Sequence, residues 1–218
     1  MSVLRRVGWV VLGVAGAVGT ALVTGVTARA GSYEEPAFRV VGSHDGFELR
    51  AYAPTIEAQV TVDGGYNAAV RTAFGVLASY IFGGNVPQQP IEMTAPVSAT
   101  PSGQRIAMTS PVSAVQAPSS GWTVSFTMPS SWTMQTLPTP RDRRVQLVEV
   151  GGGTWAVRVF PGRARDAVVV EAVAALRRDA KAAGVALTGE PVVSQFDPPW
   201  VVGPLRRNEV RIAVAPQE

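Results

Sequence analysis

Cysteine is absent from the 218 residues. That excludes disulfides, zinc–thiolate centres and cysteine nucleophiles, and it leaves the redox compartment unread. Histidine occurs once, at His44, and lysine once, at Lys181. A Ser-His-Asp triad would have to run through His44, and no Gly-x-Ser-x-Gly elbow accompanies it. No His/Asp/Glu cluster has metal-ligand spacing, and no Walker-type phosphate loop is present. Charged residues make up only 16% of the chain, and the net charge of +3 comes almost wholly from arginine. Outside Arg141, Arg143 and Arg144, and the Arg206-Arg207 pair, the basic residues are scattered, which argues against a nucleic-acid partner. Paired carboxylates drawn from Glu48, Glu149 and Glu209 are the catalytic arrangement still open. The reading is a binding protein with no catalytic residue and no metal site, not an enzyme.

What the chain does have begins with an uncharged run from Val7 to Thr27, preceded by Arg5 and Arg6. It is long enough to cross a bilayer as a helix, and the flanking charge fits the positive-inside rule. Ala28-Arg29-Ala30 before Gly31 also has the small-x-small form of a signal-peptidase site. Residues 1–30 are therefore expected to be a cleaved signal peptide or an uncleaved membrane anchor, and both alternatives stay open. Residues 31–36 read as a linker and 37–218 as one domain. That domain is placed outside the cytoplasm, held at the membrane or released as a secreted or periplasmic protein.

Within the domain, Phe38–Val41 and Phe47–Tyr52 are short β-prone runs around a Gly42–Gly46 turn that contains His44. Thr55–Val62 alternates with Ile56, Ala58, Val60 and Val62 on one face, as a half-buried strand does. Tyr66–Phe82 has helical periodicity, with Val70, Phe74, Leu77 and Ile81 on one stripe. Gly121–Met128 alternates with Trp122, Val124, Phe126 and Met128 inward. A Pro/Ser/Thr loop follows from Pro129 to Pro140. Strands are expected at Arg143–Val150 and Thr154–Phe160, a second helix at Ala164–Ala183 with Val168, Ala172, Leu176 and Ala180 inward, and strands at Pro191–Phe196 and Val210–Val214. Asp197–Arg207 is the loop between the last two.

Between the first helix and Gly121 a short motif occurs twice, Ile91–Ala99 and Arg105–Ala114. Methionine, threonine, proline, valine, serine and alanine recur in step from Met93 and Met108. Thr100-Pro101-Ser102-Gly103 between them is turn chemistry, so the pair reads as a hairpin. Pro96 and Pro111 each remove a ladder donor, which places them at a strand end, an edge or a bulge. The methionines read as core fillers rather than ligands. Taken in order, the elements form two β-α-β-β units, an α+β arrangement. The Met93 and Met108 strands, and the second-half strands after Pro191, are expected to occupy equivalent places.

Several segments together resemble the SOUL heme-binding family. Tyr33-Glu34-Glu35-Pro36 with Phe47-Glu48-Leu49-Arg50-Ala51-Tyr52 resembles its opening. Tyr80-Ile81-Phe82-Gly83-Gly84-Asn85, followed by Ile91-Glu92-Met93-Thr94-Ala95-Pro96-Val97, resembles its most distinctive stretch. Met128-Pro129 with Thr136–Pro140, then Phe196-Asp197-Pro198-Pro199-Trp200 and Arg207-Asn208-Glu209-Val210, complete the series. The resemblance runs from about Tyr33 to Val214.

This resemblance implies a distorted antiparallel β-barrel of two β-α-β-β repeats with two helices outside, similar to gyrase-inhibitor-type effector-binding domains. It implies non-covalent binding of heme or another tetrapyrrole. The family's ligating histidine falls at Ala51 here, and a lysine after the Pro-Pro-Trp segment falls at Val201. The groove that some members use, along the first helix with a basic residue for the propionates, carries over by position to Arg71, Phe74 and Ala78. His44 is a further candidate ligand. Two alternatives remain: a module for another amphiphilic small ligand, and a hydrolase on the same fold. Arg206, Arg207, Glu209 and Asp197 are expected to be structural.

Overall fold

A computed structural model describes residues 33–87, 103–117, 121–197 and 200–216. The N-terminal apolar run and the first copy of the repeated motif, Met93 included, lie outside the described residues.

Strand β1 (Phe38–His44) turns through Asp45 and Gly46 into β2 (Phe47–Tyr52). Gly46 has φ +84°, the left-handed region that a tight hairpin turn requires. The strand thus runs through the residues expected to turn, and a bulge between Val40 and Gly42 absorbs the irregularity. Next come β3 (Thr55–Asp63), α1 (Tyr66–Ile81), the two-residue β4 (Asn85–Val86), β5 (Val112–Gln116) and β6 (Gly121–Thr127). The second half runs β7 (Thr139–Pro140), β8 (Gln146–Val150), β9 (Gly153–Pro161), α2 (Asp166–Ala182), β10 (Leu187–Gln195), a 3-10 turn at Gly203–Leu205 and β11 (Arg207–Val214). Pro111 sits just ahead of β5, where its missing donor breaks no ladder bond. The Pro129–Pro140 loop ends in β7, which pairs with β4.

Nine strands form one antiparallel sheet in the order β1-β2-β9-β11-β10-β5-β6-β3-β8. Apart from β1, the order is symmetric about the β10–β5 pair. β3-α1-β5-β6 and β9-α2-β10-β11 are the two repeats, so β5 and β10 are equivalent. Each repeat's outer strand borrows a neighbour from the other half, β2 beside β9 and β8 beside β3. The expected closed barrel is not found. Among the described residues β1 and β8 are the unpaired edges of the sheet. The sheet still curls: Arg211 Nη2 on β11 comes within 3.9 Å of Glu57 Oε1 on β3, with three strands between.

Both helices cover one face. Ala58, Val60, Val124, Phe126, Ala114, Val193, Val210, Ile212 and Ala156 line that face and are buried. From α1 the core takes Tyr66, Ala69, Ala73, Leu77, Tyr80 and Ile81. From α2 it takes Val169, Ala172, Ala175, Leu176 and Ala180. Both helices are therefore turned slightly from the expected stripes. Phe74 is 38% exposed and Val168 is 40% exposed. Alanines at 69, 73 and 175 let the helices approach the sheet closely, and an apolar count alone does not register them. Gly184 at φ +72° follows the C-cap of α2.

Candidate functional site

The outward face of α1 carries Arg71, Phe74, Gly75, Ala78 and Phe82, spaced at helical intervals over about 16 Å of axis. Arg71 is exposed, Phe74 and Phe82 are 38% and 53% exposed, and Ala78 is partly buried. A Cβ built on Gly75 would meet nothing within 4 Å. Glycine and alanine between two phenylalanines leave a flat strip. Phe74 leans edge-on against Phe126 of β6, with centroids 5.4 Å apart, which fixes one wall.

A second cation reaches this strip from the loop before β5. The Arg105 guanidinium lies 5.8 Å from the Phe82 ring centroid. The fully buried Asn85 holds that loop in place. Its Nδ2 donates to Tyr80 O at 2.7 Å and to Gln104 O at 2.8 Å, and its Oδ1 accepts from Gln104 N at 2.8 Å. Ile106 N donates to Ile81 O at 2.8 Å. A Cβ on Gly103 would come within 1.7 Å of Gly83 O, so only glycine permits this docking. The strip thus has a cation at each end. Phe82 was legible from its spacing of four after Ala78. Arg105 was not, because only the Asn85 clamp brings it there.

His44 is not part of this arrangement. It ends β1 and is exposed, stacked on Phe47 at 4.6 Å with rings 10° apart. The neighbouring Gly46 carbonyl accepts from Arg158 Nη1, which also holds Asp179 of α2 at 2.7 Å. The turn therefore belongs to α2, whereas α1 packs on β3 and β6. Ala51 lies on β2, between Arg39 of β1 and Thr154 of β9. The place of the family histidine is thus also on the α2 half.

The sheet face opposite the helices is charged. Arg50 Nε donates to Glu48 at 2.8 Å and its Nη1 to Glu209 at 3.0 Å, both Arg50 and Glu209 being buried. Burial alone would lower the Arg50 pKa, but Glu209, Tyr52 and Glu48 outweigh it and hold the guanidinium charged. Burial, then the Glu209 charge, raises the Tyr52 phenol, with Arg50 and Arg211 opposing. Arg211 lies over Trp155 at 5.0 Å and Tyr52 at 5.4 Å, with its buried Nε unpartnered. Ser113 and Ser194 share a hydrogen bond at the β5–β10 junction. Glu48 and Glu209 do meet, but as acceptors on one arginine. Glu149 lies instead in a cleft of roughly 670 Å³ with Glu34, Glu35, Met128 and Trp132. Asp197 Oδ2 accepts from Arg207 N, Arg207 pairs with Glu35, and Arg206 Nε donates to Val201 O.

A curled antiparallel sheet built from two repeats, with both helices on one face, makes this an α+β domain. The chain belongs to the SOUL heme-binding protein family, which it matches over residues 33–213. No curated protein matches it. Among solved structures it resembles a hydrolase from Listeria innocua at TM-score 0.50 and 14% identity, covering 80% of this chain and 94% of that one. A second Listeria innocua hydrolase superposes at TM-score 0.52 and 12% identity, with the same coverage. The EcmrR C-terminal domain superposes at 0.57 and 10% identity, covering 78% and 98%. At these identities the likeness concerns the fold alone.

Proposed function

We propose that this is a cell-envelope protein that binds heme or a related tetrapyrrole non-covalently on the outer face of α1 and buffers or carries it without catalysis. The observation that carries the reading is the exposed strip Phe74–Ala78–Phe82, bracketed by Arg71 and Arg105. A porphyrin presents a wide apolar face with two carboxylates side by side on one edge, so the strip suits the face and the cation at either end suits the carboxylate edge. Bound heme would supply a redox-active iron. Among the described residues no imidazole flanks the strip, and Met108 packs toward the core. The fit is therefore to the ring and the propionates, and the protein's contribution is to hold them. The carboxylates Glu48 and Glu209 are occupied by Arg50, which supports a role without chemistry. The apolar run at Val7–Thr27 supports the envelope placement.

Titrating the full chain with hemin tests this. A shifted Soret band is expected, and it should be lost in Arg71→Glu with the fold intact. An unchanged hemin spectrum at micromolar protein overturns the reading.

One observation favours a second reading, a different amphiphile. The cleft that holds Glu149 is lined by Pro36, Ile56, Met128 and Trp132, and its charged residues are Glu34, Glu35 and Glu149, with no cation among its described lining. Such a lining suits an apolar ligand without carboxylates. Native mass spectrometry of protein from its own host would show a co-purifying non-heme ligand; ligand-free protein would refute this reading.

A further inference from the structure

Trp200 and Leu205 are the two most exposed large apolar side chains among the described residues, at 76% and 67%, and Val202 between them is 62% exposed. A held backbone keeps them there. Leu205 N donates to Val202 O at 3.0 Å and Arg206 N to Gly203 O at 3.1 Å, closing the 3-10 turn. Arg206 Nε donates back to Val201 O at 2.8 Å, and Gly162 N donates to Arg206 O at 3.1 Å. The loop is thus tied at its base while its apolar tips face solvent.

The surroundings are basic. Arg163 and Arg165 are exposed, and the Arg163 side chain comes within 3.6 Å of a Cβ built on Gly203. Asp166 accepts from Asn67 at 2.6 Å and Asp197 from Arg207 N at 2.5 Å, so both acids stay charged, and the basic character rests on Arg163, Arg165, Arg206 and Arg207 outnumbering them and Glu35. The chain also enters the domain here, because Glu35 pairs with Arg207 Nη2 at 2.5 Å. The apolar run ends at Thr27, eight residues before Glu35. Fully extended, that length spans at most about 28 Å.

We propose that the loop Trp200–Leu205 inserts shallowly into the interfacial layer of an anionic phospholipid bilayer and sets the orientation of the domain on it. Tryptophan favours the interface, where its indole meets both headgroups and acyl chains. Valine and leucine beside it bury among the upper acyl carbons. The arginine collar then meets lipid phosphates, whose negative surface potential draws it. The charge complementarity selects a lipid surface over a protein partner, and the short tether at Glu35 keeps the loop near any membrane that holds Val7–Thr27. The proposal extends the envelope reading and rests on it, but it needs nothing of the α1 strip.

The lack of cysteine makes a direct test possible. Val202→Cys in the full chain takes a single nitroxide label, and Ala182→Cys at the far end of α2 is the control. Each is reconstituted with phosphatidylcholine vesicles containing phosphatidylglycerol. The label at 202 is expected to become several-fold more accessible to oxygen and less accessible to a polar nickel chelate, while the label at 182 does not change. Trp200→Ser with Leu205→Ser should return the label at 202 to water. If the protein is vesicle-bound and position 202 stays accessible to the chelate, this proposal fails and the envelope reading stands. If the chain does not associate with vesicles, this proposal fails, while the envelope reading stands in its released form. Protection at 202 without vesicles would point to a second protein copy and overturn it too.

Discussion

Replacing Phe74 and Phe82 together with serine removes the two aromatic walls of the α1 strip without touching its cations. The rings are 38% and 53% exposed. Taking roughly 200 Å² for a phenylalanine, about 180 Å² of aromatic surface faces solvent, and a flat ligand covers about half of it. At about 25 cal/mol per Å² that cover is worth about 2 kcal/mol, or roughly a 30-fold loss of affinity in the double variant. The assay is a Soret titration with hemin, paired with thermal unfolding, because Phe74 also packs on Phe126 and its loss costs about 1 kcal/mol of stability. Val170→Ser, which removes a more exposed apolar side chain from α2, should leave the titration unchanged. A double variant that remains folded and binds hemin as the parent does would refute the placement on α1. An equal loss in Val170→Ser would show that hemin adheres to any exposed apolar surface.

Other outcomes follow from the same geometry. Since no described imidazole flanks the strip, metal-free protoporphyrin IX should bind within a few-fold of hemin, and His44→Ala should leave both affinities intact; fluorescence quenching titrations check this. Asn85→Ala breaks three hydrogen bonds, one buried and two part-buried, and frees the Arg105 loop, costing about 2–3 kcal/mol in urea unfolding and weakening hemin binding as well. Glu209→Leu leaves the buried Arg50 with the half-exposed Glu48 as its remaining carboxylate, and should cost about 2–4 kcal/mol, which an unchanged Tm would refute. The Tyr66 hydroxyl accepts from Gln195 Nε2 and the Tyr80 hydroxyl donates to Pro138 O, and burial chiefly raises both pKa values to about 12. The unfolded chain releases these protons near the ordinary value of 10, so their stabilisation is complete below that pH and is lost as pH rises toward 12. Alkaline unfolding should therefore shift upward in Tyr80→Phe relative to the parent at equal neutral-pH stability.

The curled sheet was only half legible. Alternation along Thr55–Val62 and Gly121–Met128 gave the inward faces correctly, because a strand with one buried side has a strict period of two. The helices were placed correctly but turned: small residues such as Ala69, Ala73 and Ala175 sit innermost because they permit close approach, and that displaced Phe74 and Val168 toward solvent. The swap that sets β2 beside β9 and β8 beside β3 had no local signal. Pairing over such distances is decided by how the two halves meet.

From its own order of residues, the chain determined its family, its two repeats and the motif ending at Asn85. These depend on local patterns that recur wherever the same short-range packing is needed. It also determined that Ala51 stands where a histidine would be, and that only His44 is available as an imidazole. Tertiary structure alone decided that His44 belongs to the α2 half, that Arg105 joins Phe82 through the Asn85 clamp, and that the sheet stays open with Arg50, Glu209 and Arg211 on one face. Each depends on contacts between segments far apart in the chain, where the energy lies in the meeting of surfaces that no stretch of sequence contains.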